Sequence, residues 1–175
     1  MGIYAKDLRE LVVRPTLLQL NEWSPAAENL LLGTAAHESQ LGFRMHANNA
    51  DGAGLYRISE ATHIQVWDKF LVTDPELASR VRGLASQQQF LKFPHCELIT
   101  NLGYATGIAW MIYKRNNIQL PSENDIASLA SCWQMFYNSR DANQATLASI
   151  SNNDTDKFIS NYRKLVLREN KKLAA

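Results

Sequence analysis

The run Leu30-Leu31-Leu32-Gly33-Thr34-Ala35-Ala36 constrains this chain more than any other stretch. Ser24 followed by Pro25 marks a helix start: an N-cap hydroxyl, then a proline at the first helical position, where its missing N–H is no loss. The helix should run to about Leu41, where Gly42 can take the left-handed turn that ends it. The apolar run from Leu30 to Ala36 makes this helix look buried. It then runs directly into His37-Glu38-Ser39. A carboxylate at the end of an apolar helix is costly to ionise, because desolvation and the partial negative charge of a helix C-terminus both favour the protonated form. A general acid that must keep its proton near neutral pH needs that environment. Leu30, Leu31, Thr34, His37, Glu38 and Leu41 share faces at helical spacing, which sets Glu38 beside the apolar stripe.

Nearly every other segment also reads as helix. Tyr4 to Val13 is amphipathic, and Pro15 interrupts or restarts it. Ser59 caps a helix through about Phe70, and Thr73 or Asp74 before Pro75 opens another to about Ser86. Cys96 to Lys114 is the longest apolar pattern, with Gly103, Ala105, Gly107 and Ala109 allowing close packing in the middle of the fold. Pro121-Ser122 opens a helix from about Glu123 to Tyr137. A polar loop rich in Asn, Ser and Asp follows through about Asp154, and Thr155 to Lys171 closes the chain as an amphipathic helix with a basic end suited to its dipole. Only Leu55 to Ile58 has strand character, and it is too short to found a sheet. The expected class is all-α, a single domain over 1–175, with at most a very short β element near 55–58.

Composition bounds the function classes. A chain of 175 residues with 46% hydrophobic side chains can bury one core of ordinary size. A net charge of +1 argues against nucleic acid as the main partner, since phosphate binding usually leaves a clear basic excess. No apolar run is long enough for a membrane span. The N-terminal MGIYAKDLRELVV mixes charges into its apolar face and lacks a signal-peptide core, so a cytoplasmic protein, or one delivered across an envelope by other means, is expected. Cys96 and Cys132 suit neither a disulfide framework nor a metal site and are read as buried thiols. His37, His46, His63 and His95 lack metal-ligand spacing. Neither a serine nucleophile elbow nor a phosphate-binding Gly-Lys loop is present. No metal and no cofactor are expected.

The remaining candidates for chemistry follow Glu38. Asp51-Gly52-Ala53-Gly54 reads first as a turn. It can also line a cleft with backbone groups, since glycine allows a ligand to approach closely. Tyr56, Tyr104, Trp110, Tyr113, Trp133 and Tyr137 read mainly as core, although tyrosine can stack on sugar rings while offering a hydroxyl. Tyr137-Asn138 lies where a helix ends and the polar loop begins, a place that suits a groove-lining pair.

Together these pieces resemble the lytic transglycosylase and goose-type lysozyme group of the lysozyme-like superfamily. That group carries a Glu-Ser pair at a helix end, here Glu38-Ser39. A Gly-Leu-Met-Gln-Ile-like phrase follows, here Gly54-Leu55-Tyr56-Arg57-Ile58, with a threonine shortly after, here Thr62. Next comes an apolar helix, here about Leu98 to Lys114, and then an Ala-Tyr-Asn-Ala-Gly-like motif, here Phe136-Tyr137-Asn138-Ser139. The order and spacing fit over roughly Leu30 to Asn138, and in detail the chain looks most like small phage-encoded members. Two departures stand out: the usual Gln of the second motif is Arg57, and the third motif lacks its Ala and Gly neighbours.

The resemblance implies a lysozyme-like fold and cleavage of the β-1,4 bond between N-acetylmuramic acid and N-acetylglucosamine in peptidoglycan glycan strands. Glu38 is then the single acid/base. Ser39 stabilises the local turn or binds an N-acetyl group. Gly54, Leu55 and Tyr56 form the groove edge, Arg57 stands where the family's Gln faces substrate, and Tyr137, with Asn138 beside it, contacts the Glu38 carboxyl or the sugar. Asp51 lies close to where goose-type lysozymes carry an Asp and would hold a water, favouring hydrolysis over the 1,6-anhydro product. A phage-encoded member would be virion-associated or made in the host cytoplasm, acting on the cell wall and meeting other virion proteins. The rival reading, supported by Arg57 and the altered third motif, is a virion structural or peptidoglycan-binding protein on the same scaffold whose catalysis has decayed.

Overall fold

The computed structural model describes residues 2–46, 52–138 and 152–167. Asp51, the loop from 139 to 151 and the last residues of the expected closing helix lie outside them. Among the described residues the protein is all-α. The only β pairing is one antiparallel bridge, Ala53 with Ile58, so Leu55 to Arg57 form the turn between bridge partners and not a strand.

Proline shapes the first element without breaking it. Helix α1 (Ala5–Asp7) passes through a π-helical stretch, Leu8–Val13, into α2 (Arg14–Gln19). Pro15 has no N–H to give to the preceding turn. The wider π spacing, in which the Arg14 N–H reaches back to Arg9 O, carries the chain past it. The interruption expected at Pro15 is absorbed as a bulge.

Helix α3 (Pro25–Ser39) starts where Ser24 Oγ accepts the Ala27 N–H at 3.1 Å. From Ala26 to Ala36 every residue except Asn29 is buried, so the helix is enclosed on all sides and carries no single apolar stripe. Its end comes earlier than expected, and three successive residues turn left-handed: Gln40 at φ 54°, Leu41 at 55° and Gly42 at 84°. Two of these are not glycine. They are held by the Ile3 N–H on Leu41 O at 2.7 Å and by Ser39 Oγ, which accepts the Gly42 N–H at 2.9 Å.

Most of the remaining elements pack on α3 or on α8. Ser59 accepts the Thr62 N–H and caps α4 (Glu60–Gln65), which continues as a π stretch, Val66–Phe70, and a 3-10 turn, Leu71–Thr73. Asp74 caps α5 (Pro75–Leu84), and a short α6 (Gln87–Lys92), not foreseen in the sequence, follows. The single helix expected over Cys96 to Lys114 is divided into a 3-10 turn, Pro94–Cys96, then α7 (Glu97–Thr100) and α8 (Leu102–Lys114). Asn101 makes the break: its Oδ1 accepts the Tyr104 N–H at 3.0 Å while its Nδ2 donates to Leu84 O and Glu97, partners an unbroken helix would not offer. Pro121-Ser122 does not open the next helix. Asp125 does, accepting the Ser128 N–H at 3.0 Å, and α9 (Ile126–Trp133) extends through a π stretch, Gln134–Asn138. Helix α10 (Asn152–Tyr162) begins three residues before the expected Thr155 and ends in another π stretch, Arg163–Leu167. Cys96 is exposed at the end of its 3-10 turn and Cys132 is half-buried, which corrects the reading of both as buried thiols.

Helices α8, α9 and α10 pack on α3. Gly33 lets α10 come closest. A Cβ there would collide with the Phe158 ring and sit 3.0 Å from Tyr162. Among the described residues no helix is long and apolar enough to cross a membrane.

Candidate active site around Glu38

Glu38 is the last but one residue of α3 and is half-buried. The Trp133 indole, from the end of α9, donates its Nε1–H to Glu38 Oε1 at 3.0 Å. Trp133 is 1% exposed. His37 lies against it at 4.2 Å between ring centroids, and Phe158 of α10 at 5.5 Å. Burial pushes the His37 imidazole down to about 4, an effect that Asp154 opposes and Lys157 reinforces. Its Nδ1 is buried without a hydrogen-bond partner among the described residues. The neighbour of Glu38 in sequence is therefore a neutral ring at neutral pH and acts as a packing face for the indole.

Below Glu38, one helical turn back, lies Thr34. Its Oγ1–H goes to Leu30 O at 2.8 Å, so the Tyr113 hydroxyl 2.7 Å away must be the donor to Thr34. Burial first, and with it the negative charge of Glu38, holds the Tyr113 hydroxyl well above the usual phenol range. Tyr137 stacks on Tyr113 with centroids 5.3 Å apart. Its hydroxyl donates to Tyr56 O at 2.8 Å.

The turn after α3 is joined to the same place by a second tie. Ser39 Oγ donates to Leu55 O at 2.6 Å while accepting from Gly42. Gly54, at φ 80°, brings the turn so close to α7 that a Cβ would collide with Leu98 O. No other residue satisfies both demands at that position. The structure thus brings Glu38-Ser39, the Gly54–Arg57 turn and Tyr137 together.

The side chains differ from expectation in detail. Ser39, Leu55 and Tyr56 are fully buried. Of the two roles expected of Ser39, its contacts give the stabilised turn. The Tyr56 hydroxyl donates to Thr106 Oγ1 at 3.1 Å, since the Thr106 hydroxyl hydrogen is committed to Leu102 O. Gly54, Leu55 and Tyr56 are buried with their backbone, and the Leu55 and Tyr56 carbonyls are taken by Ser39 and Tyr137, which corrects their expected place on a groove edge. The Tyr137 hydroxyl is on the Tyr56 carbonyl, where it supports the turn. Asn138, half-buried, ends the π stretch. Thr62 serves the α4 cap, with its hydroxyl accepting from Ser59 at 2.9 Å. Arg57 is held at φ 48°, with Nε buried and without a hydrogen-bond partner among the described residues. Asp51 lies outside the described residues.

Trp133 was missed as the partner of Glu38. A signal existed: Trp133 and Tyr137 are four residues apart on one helical element, so both face the same way. Among the described residues no group of three or more His, Cys, Asp or Glu could hold a metal ion. No protein-family profile, curated protein or solved structure matches this chain.

Proposed function

We propose that this protein is a peptidoglycan-cleaving glycosidase, acting on the β-1,4 bond between N-acetylmuramic acid and N-acetylglucosamine with Glu38 as its single acid/base. The observation that carries the reading is the meeting at the end of α3 of two segments far from Glu38 in sequence. Trp133 bonds its carboxyl, Ser39 ties the Gly54–Arg57 turn to the helix end, and Tyr137 braces that turn. A half-buried carboxyl, oriented by a buried donor, suits proton transfer to a glycosidic oxygen. The Glu38 proton passes to that oxygen and the C1–O bond breaks with its electron pair on the leaving sugar, which departs as an alcohol. The carbonyl oxygen of the substrate's own N-acetyl group stabilises the positive C1, so no second carboxylate is needed. Glu38, now a carboxylate, takes a proton from the sugar's 6-hydroxyl as that oxygen bonds to C1, giving the anhydro product, or from a water, giving a reducing end. A phage origin and a virion-associated route to the wall belong to the same proposal and rest on the resemblance alone.

Turbidity of purified cell walls tests it directly. Wild type should clear them and Glu38→Gln should not. Mass spectrometry of the released muropeptides separates the two fates, since an anhydro product is lighter by one water. Arg57 favours a second reading, retention of the glycan without cleavage: its cationic side chain, in the same turn, has a buried Nε without a hydrogen-bond partner among the described residues. Wild type that sediments with walls but leaves turbidity and muropeptides unchanged would select it.

A further inference from the structure

We propose that His63 and His95 form an acid-sensitive latch that fastens the Pro94–Cys96 turn to α4 while the pair is neutral. The two Nδ1 atoms stand 2.9 Å apart, His63 on α4 and His95 in the turn. Two imidazole nitrogens at that distance need one proton between them: none leaves two lone pairs facing, and two leave two N–H groups facing. The far side of His63 decides which ring carries it. The Trp67 indole N–H goes to the Tyr104 hydroxyl oxygen at 2.8 Å, and His63 Nε2 is 2.6 Å from the same oxygen. Tyr104 is fully buried, and among the described residues His63 Nε2 is the acceptor that its O–H reaches. Nε2 is therefore the lone-pair nitrogen of a neutral His63, and the ring proton sits on Nδ1 and goes to His95 Nδ1. Trp67, Tyr104, His63 and His95 form one chain in which each member donates to the next, from the core to a half-exposed ring.

Acid works against this chain at both links. A proton added to either ring puts hydrogen on His63 Nε2 as long as the Nδ1 atoms stay bonded, and the Tyr104 O–H then loses its buried acceptor. A second proton sets two N–H groups, on two cations, against each other. Burial, and after it the neighbouring His95, hold the His63 imidazole down to about 4, against an ordinary 6.5. The opened latch thus binds protons that the closed one refuses, so closure is complete above 6.5 and is lost as pH falls toward 4. Glu97 of α7 and Arg82 of α5 are the charges that act on Tyr104. Burial alone would raise the Glu97 carboxyl, but hydrogen bonds from Ser86 and Asn101 outweigh it and hold it below the usual carboxylate range, so Glu97 stays charged through this window. Glu60 precedes His63 by one turn on α4, and Lys92 and Cys96 flank His95 along the chain. The turn runs straight into α7, whose Leu98 carbonyl is the seat of Gly54, so the latch adjoins the support of the Gly54–Arg57 turn.

Hydrogen exchange of the whole chain tests the latch, read as protection relative to the unfolded chain at the same pH. The reporters are the Phe93 and Cys96 amides, which are bonded to Gln89 O and Phe93 O. In wild type their protection should fall at least about ten-fold between about pH 7.5 and 4.5. His95→Asn places an amide oxygen where Nδ1 stands. That oxygen does not titrate, and it accepts from His63 Nδ1–H whether His63 is neutral or charged. Protection in this variant should change by less than about three-fold over the same range, and because acid still protonates His37 in it, the difference isolates the pair. His95→Ala, at a half-exposed position, should be as unprotected at neutral pH as wild type is in acid. Nuclear magnetic resonance of wild type with 15N-labelled histidine, near neutral pH, should show His63, the ring that responds to His95→Asn, protonated on Nδ1 with Nε2 accepting. Flat wild-type protection, an Asn variant that follows wild type, an Ala variant as protected as wild type at neutral pH, or a neutral His63 protonated on Nε2 overturns the latch. None of these readouts uses wall lysis, so the latch stands or falls apart from the glycosidase reading.

Discussion

Glu28 and Glu38 stand at the two ends of α3, and both accept a hydrogen bond from a tryptophan indole. Their surroundings otherwise differ. Glu28 lies in the first turn, where backbone N–H groups favour an anion. It is 1% exposed and receives Arg9 at 2.6 Å, Arg14 at 2.9 Å and Trp23 at 2.8 Å. Burial alone would push its carboxyl up, but hydrogen bonds from Arg14, Trp23 and Arg9 outweigh it and hold the group below the usual carboxylate range. Glu38 lies in the last turn, where the backbone presents carbonyls, and it is half-buried. One residue type on one helix therefore serves as a fixed anion that ties α2 to the core at one end, and stands half-buried under an indole donor at the other. Burial with matched cations makes a carboxylate structural.

The largest expected effect separates the two ends by function. Glu38→Gln should reduce wall lysis by about a hundred- to ten-thousand-fold, with a melting temperature changed by on the order of a degree. Equal lysis by the variant would remove Glu38 as the acid and the contrast with it. Glu28→Ala should do the reverse, costing on the order of 3 kcal/mol in urea unfolding because two guanidiniums lose their buried partner. Loss of lysis at unchanged stability in Glu28→Ala would break the comparison from the other side.

Gly33→Ala, between the two carboxylates, probes the packing that unites them. Its methyl would press on Phe158, and a cost of about 1–3 kcal/mol in chemical unfolding is expected. Because Phe158 also flanks Trp133, the magnetic resonance signal of the Trp133 indole N–H should shift as well. A neutral result would mean that α10 is free to yield.

Acid should weaken the fold through its buried imidazoles before it reaches Glu28. His37 and His63 have folded values near 4 against an ordinary 6.5, in both cases through burial first. In that window the unfolded chain binds protons that the folded chain does not, so stability is full above 6.5 and falls as pH drops toward 4. Glu28 and Glu97, held low, contribute stability above the ordinary carboxylate value that is lost only at still lower pH. Melting temperature against pH should thus decline first between about 6.5 and 4, and His37→Phe should flatten part of that decline. A flat profile down to 4 would mean that neither imidazole is as buried in solution.

The smallest effect belongs to the turn. Arg57→Gly removes a left-handed non-glycine residue and a buried unpaired Nε. A gain of about 0.5–1 kcal/mol in thermal unfolding is expected, reduced by the extra freedom glycine has in the unfolded chain. If the same variant loses affinity for walls, Arg57 contributes to the site in the way its unpaired nitrogen favours.

Much of this was legible before the fold. The all-α class, the Ser24-Pro25, Ser59 and Asp74-Pro75 helix starts, and the buried character of Leu30 to Ala36 are local matters of capping and composition. A side chain three residues from an orphan N–H meets it whatever the rest of the chain does. The order of the Glu38-Ser39, Gly54–Arg57 and Tyr137 phrases was legible, but the contacts that join them were not. The break at Asn101, the start of α9 at Asp125 and the exposure of Cys96 were not, because each depends on which distant carbonyl, side chain or surface the chain meets there.

The amino-acid order by itself determined where α3, α4 and α5 begin, which helix is buried and which carboxylate stands at its end, since those follow from hydrogen-bonding groups and apolar residues within one or two turns. Only the tertiary structure decided what each functional group touches. It gave the Tyr137 hydroxyl to a backbone carbonyl, buried Ser39, Leu55 and Tyr56, and delivered Trp133 from 95 positions away to Glu38. Such contacts arise from the packing of α9 and α10 around α3, and no local spacing encodes the angle at which two helices meet.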